Sequence, residues 1–117
     1  MAKSKTTKTQ KLTDDIAGHV KRWLGRFKSA DGIRRFCRKH GARGVMGDSS
    51  LCVLARVIRK KFAKARIDVQ VTERIAILSR SEWPRAFVVD MTYECHDFVR
   101  YFDLGLYPEL AGRGRTK

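Results

Sequence analysis

The sequence predicts an α+β domain: three N-terminal helices packed on a small three-stranded antiparallel sheet, followed by a C-terminal helix. Three observations predict it. Apolar residues recur at three- and four-residue steps through the first half of the 117-residue chain. Near Ile67 the period falls to two, and after Thr92 it returns to the helical value. Helices that precede a run of strands fit an architecture with helices over one face of an antiparallel sheet.

The first helix is capped by Thr13, with Asp14 and Asp15 placed favourably against its dipole. Ile16, Val20, Trp23, Leu24 and Phe27 form its inner stripe, so both aromatics read as core. Asp31 is the expected cap of a short second helix, with Ile33, Phe36 and Cys37 facing inward and Gly41 in a left-handed C-cap. Residues 41–49 hold three glycines and form a loop. The third helix is expected to start at Asp48, Ser49 or Ser50 and to run to about Lys64. Leu51, Leu54, Ala55, Ile58 and Phe62 share its inner face. Cys52 and Val53 interrupt the polar face, so its opening is covered on two sides while its end is exposed and basic.

Ile67, Val69 and Val71 alternate with Asp68, Gln70 and Thr72, the mark of a half-buried strand. Thr72 to Arg74 turns the chain, and Arg74 to Leu78 returns it. A loop with Pro84 leads to a third strand whose inner face is Phe87, Val89 and Met91. The last helix starts at the cap Thr92, buries Cys95, Phe98, Val99 and Phe102, and ends at Gly105. Residues 13–110 therefore make one domain. Residues 1–12, rich in Lys, Thr and Ser, and residues 111–117, Gly-Arg-rich, cannot bury apolar surface and are expected to be flexible basic tails.

Charge divides with structure. Up to Arg66 there are 19 Lys and Arg against 4 Asp and Glu, a balance of +15; beyond it 7 stand against 8, a balance of −1. A concentrated positive field attracts polyanions. The basic residues lie outside the apolar stripes and can be displayed together: Lys21, Arg22, Arg26, Lys28, Arg34, Arg35, Arg38, Lys39 and Arg43, then Arg59, Lys60, Lys61, Lys64 and Arg66. Neutralising a row of phosphates releases counterions, and the arginine fork pairs with phosphate bidentately. The loop between the second and third helices is too long for a helix-turn-helix. Backbone contact or recognition of structured RNA asks less of the sequence. Trp83 and Arg85, in a polar loop, and Tyr93 and Tyr101, outside the last helix's stripe, are candidates for contact with a partner.

No acids, bases and nucleophiles converge by spacing, so a non-enzymatic role without cofactor or metal is expected. Cys37, Cys52 and Cys95 are odd in number and form no CxxC pair, which argues against a disulfide framework or a zinc site. No apolar run suits a membrane span and no signal sequence opens the chain, so a cytoplasmic location is expected.

Two stretches resemble a small uncharacterised family of actinobacteria and their phages. One is Asp48-Ser49-Ser50-Leu51-Cys52-Val53-Leu54-Ala55, similar to that family's Cys-x-Leu/Ile-Ala helix start. The other is Asp97-Phe98-Val99-Arg100-Tyr101-Phe102-Asp103-Leu104-Gly105, similar to its Phe-Ile/Val-x-x-Phe-Asp-x-Gly ending. Val53 stands where the family has Pro, and the N-terminal basic helices are additional. The resemblance implies a small α+β unit and admits a phage origin; it supplies no activity. The expected function is binding of nucleic acid, DNA or RNA, or of a ribonucleoprotein through a basic helical face. The alternative is a small phage-encoded inhibitor that docks on an acidic host protein, such as a nucleic-acid-guided defence nuclease, in the host cytoplasm.

Overall fold

Helix α1 is already formed at residue 15 and runs to residue 24 in the structure, a computed structural model that describes residues 15–112. The expected Thr13 cap, the 1–12 tail and the end of the C-terminal tail lie outside the described residues. Helix α2 spans Ala30–Lys39 and α3 spans Val53–Lys61. Strands β1 (Asp68–Val71), β2 (Ile75–Ser79) and β3 (Phe87–Asp90) follow, then α4 (Tyr93–Asp103). Short 3₁₀ turns at Ala63–Ala65 and Pro108–Leu110 complete the order. The fold is α+β, with the sheet antiparallel in the order β1-β2-β3.

Period-two alternation sorts the sheet into two faces. Val69, Val71, Ala76, Leu78 and Val89 are buried, while Asp68, Gln70, Val88 and Asp90 are exposed. Val69 opposes Leu78, and Ala76 opposes Val89, so buried residues lie in register across all three strands. A slip of one residue would turn those side chains to solvent, which fixes the pairing.

Aromatic packing ties the three N-terminal helices together. The Trp23 ring meets Phe27, Phe36 and Phe62 edge-on, with centroids 5.3, 5.6 and 6.1 Å apart. Each such pair is worth about 0.5–1.5 kcal/mol beyond the area it buries. Cys95, Phe98, Val99 and Phe102 bury the inner face of α4, as the sequence predicts. The Thr92 hydroxyl accepts from the Cys95 backbone N–H, and Gly105, at φ 81°, closes the helix.

Two helix starts differ from expectation. Asp31 does not cap α2; Ser29 does, its Oγ accepting from the Gly32 N–H at 2.9 Å. Asp31 instead lies in the first turn, where it favours the dipole and pairs with Arg35 at 3.1 Å. Helix α3 begins at Val53 rather than at Asp48–Ser50. Asp48 Oδ1 accepts from the N–H groups of Ser50 and Leu51, which makes a turn. The Ser49 carbonyl accepts from Val71 N–H and the Ser50 carbonyl from Arg59 Nη2. This backbone is held by β1 and by Arg59, so it is not available to a helix. Helix α3 also ends at Lys61, short of Lys64, because the chain tightens into the 3₁₀ turn and Arg66 takes a left-handed φ of 55° before β1.

The ordered chain reaches past residue 110. Gly44 N–H donates to the Leu110 carbonyl, and Gly112 N–H donates to the Gly44 carbonyl at 2.7 Å. Ala111 and Gly112 thus run beside the 41–49 loop and fasten it. Among the described residues, no helix is long and apolar enough to cross a membrane.

Candidate nucleic-acid interface

Two adjoining grooves open where the basic helices meet. The larger, about 530 Å³, is lined by Phe36, His40, Gly41, Ala42, Arg43, Arg56, Val57, Lys60 and Lys61. The second, about 520 Å³, lies between α1 and the end of α3 and is lined by Ile16, His19 and residues 60–65. Lys60 and Lys61 border both and form a ridge between them. Neither lining contains an Asp or Glu.

The folding of this region explains the charge convergence. Arg56 and Lys60 are four residues apart on α3, as are Val57 and Lys61, so each pair lies on one helix face. Val57 is buried and Lys60 and Lys61 are exposed. Arg43 reaches the same place from the loop, and Arg56 Nη1 donates to the Arg43 carbonyl at 3.1 Å. Phe36 on α2 and His40 at its C-cap, four residues apart, form the aromatic wall, with ring centroids 4.3 Å apart.

Of the basic residues predicted to form the site, Arg43, Lys60 and Lys61 line the larger groove, and Lys60, Lys61 and Lys64 line the smaller one. Lys21, Arg22, Arg26 and Lys28 are exposed on α1 and the turn after it, and Lys39 is exposed at the end of α2. Arg22 Nη2 is 2.9 Å from His19 Nδ1, one of the groove residues. Arg34, Arg35, Arg38 and Arg59 are placed differently. Arg34 Nε donates to Glu109 and its guanidinium lies over the Tyr107 ring at 5.1 Å. That pairing holds the Glu109 carboxyl below its ordinary range, and Arg38 adds to the effect through charge. Arg34 and Arg38 therefore face the 3₁₀ turn at Pro108–Leu110, on the side of α2 away from Phe36 and His40. Arg35 is paired with Asp31. Arg59 donates to the Val69 carbonyl at 2.8 Å and the Ser50 carbonyl at 2.7 Å, and lies 3.4 Å from Asp68. Its fork is committed to joining α3, β1 and the loop.

The four other candidates do not line either groove. Trp83 packs against the core and edge-on to Phe87, with Arg80 over its ring at 5.8 Å. Arg85 is exposed in the same loop. Tyr93 is 84% exposed at the start of α4, and Tyr101 meets Tyr107 edge-on.

Sequence reasoning missed Arg56, Phe36 and His40 as groove residues. The four-residue spacings were legible for the basic pairs. What the sequence did not show was that α2 and α3 turn those particular faces toward one another.

The cysteines are free and buried, and burial pushes the Cys37 thiol up to about 12 and raises those of Cys52 and Cys95. Among the described residues, no three His, Cys, Asp or Glu side chains gather in a metal-binding arrangement. No protein-family model matches the chain, and neither curated proteins nor solved structures provide a match.

Proposed function

We propose that the chain is a non-enzymatic nucleic-acid-binding protein that holds a phosphate backbone across the Lys60–Lys61 ridge. The observation that carries this reading is the pair of adjoining grooves, bordered by Arg43, Arg56, Lys60, Lys61 and Lys64 with no acid in either lining. Among the described residues, none of these five makes an ion pair. Unpaired cations at this density repel one another and favour a polyanion that relieves the repulsion. The exposed cations of α1 extend the field beside the ridge. The test is what the protein carries when purified: an absorbance ratio at 260 and 280 nm typical of nucleic acid, lost on nuclease treatment, supports the reading. A protein that is free of nucleic acid and also ignores added DNA and RNA at low salt rejects it.

A second reading, docking on a host protein as an inhibitor, is favoured by a different observation. Met46, Leu104 and Leu106 are exposed apolar side chains, and the Met46 sulfur lies beside Gly105. The Gly47 N–H donates to Asp103, which holds the loop against the end of α4. Leu104 and Leu106 belong to the nearly neutral half, and Met46 joins them from the 41–49 loop of the basic half. A partner captured after thorough nuclease treatment, and lost with Leu104→Glu, supports this reading; loss of every partner on nuclease treatment rejects it.

A further inference from the structure

We propose that the larger groove is a seat for one unpaired nucleobase, with the flanking phosphates on its basic rim. This rests on the phosphate-binding reading above and adds a preference that charge alone does not produce. A backbone lying across a basic face needs cations but no cavity. Here the cations surround a groove of about 530 Å³ whose floor is Phe36, Ala42 and Val57. That is within the usual size of small-ligand sites, which combine an apolar floor with a few placed polar groups.

The chemistry of the walls selects the occupant. The Phe36–His40 pair provides an aromatic surface, and single-stranded bases are held by stacking on Phe, Tyr, Trp, His or Arg planes. The Arg56 guanidinium is held at one end by the Arg43 carbonyl, which keeps it at the mouth of the groove. Arg43, Lys60 and Lys61 surround the opening, so an apolar ligand without charge would leave the rim unused. A nucleotide matches both parts. A base within a duplex does not, because its faces are covered by its neighbours. The site therefore favours single strands, loops and bulges over regular duplex.

The experiment compares three probes of matched charge by fluorescence anisotropy: a short oligothymidylate, an abasic oligomer of the same length, and a duplex. The expected result is oligothymidylate binding roughly tenfold tighter than the abasic strand, the size of effect that base stacking provides. His40→Ala removes an exposed part of the wall, and Ala42→Met fills the floor. Each is expected to bring oligothymidylate down to the abasic level while leaving abasic binding unchanged. Equal binding of oligothymidylate and abasic strand by the unaltered protein overturns the base seat and leaves the phosphate-binding reading intact. Failure to bind any of the three overturns that reading itself. A base preference that persists in a folded Ala42→Met protein also overturns the assignment to this groove.

Discussion

A methyl group at Gly44 would lie 2.5 Å from the Cα of Val53, and closer still to the Val53 backbone nitrogen. Gly44 is buried, and its N–H and carbonyl are bonded to Leu110 and Gly112. The loop carrying Arg43 is thus pressed onto the start of α3, and the C-terminal segment is pressed onto the loop. The obstruction is backbone, so a rotamer change cannot relieve it. Gly44→Ala is expected to destabilise the fold by about 2–3 kcal/mol, as overpacking does. Thermal melting followed by circular dichroism checks this, with Tm expected to fall by on the order of 10 °C.

The start of α2 gives a cleaner test of local rules. Ser29→Ala removes the acceptor of the Gly32 N–H and is expected to cost about 1 kcal/mol in denaturant unfolding. Asp31→Asn weakens only a dipole interaction and an exposed pair with Arg35, and is expected to cost a few tenths of a kcal/mol. The sequence alone points to Asp31 as the cap, whereas Ser29 fills that place. Both residues are good caps, and Ser-Ala-Asp-Gly allows the helix to begin at either; only the bonded geometry separates them.

Arg59 and Lys60 are adjacent in sequence and opposite in role. Arg59→Ala leaves the Val69 and Ser50 carbonyls without their donor and is expected to cost about 1.5–3 kcal/mol of stability. Lys60→Ala is expected to change Tm by less than the measurement error, because Lys60 is exposed and makes no ion pair among the described residues. Its effect is expected in binding, where nucleic-acid affinity falls for all sequences alike. Parallel melts and anisotropy titrations of the two variants check the separation.

The buried thiols set the behaviour at high pH. The folded chain keeps the Cys37 proton to about 12, whereas an unfolded thiol gives it up near 9. Stability from this group is therefore complete below about 9 and is lost as pH rises toward 12. Cys52 and Cys95, also raised by burial, act in the same direction. The expected slope is on the order of a kcal/mol per pH unit, read from urea unfolding at stepped alkaline pH. A thiol reagent at neutral pH is expected to label the native protein slowly and all 3 cysteines rapidly once it is unfolded.

Periodicity made the architecture legible. Both the switch from period 3.6 to period two near Ile67 and the return after Thr92 correspond to elements of the structure. Helix boundaries were less legible where tertiary bonds claim the backbone, as Arg59 and Val71 claim residues 49 and 50. The candidate site was legible as charge but not as geometry. Lys60, Lys64 and Arg43 converge, while Arg34 is drawn to Glu109, which is 75 residues away in the chain. A partner that distant leaves no trace in local spacing. Phe36 reads as core in the sequence because it serves both purposes: its ring meets Trp23 edge-on and it also lines the groove.

The most direct test of the Lys60–Lys61 ridge is the salt dependence of binding to a single-stranded oligonucleotide, for the unaltered protein and for Lys60→Ala/Lys61→Ala. Each phosphate neutralised on a single strand contributes about 0.7 to the slope of log K against log salt. A steep negative slope is expected for the unaltered protein, made shallower by roughly 1–2 in the double variant with Tm preserved. A slope that is the same in both proteins, or near zero in the unaltered one, contradicts phosphate binding at the Lys60–Lys61 ridge.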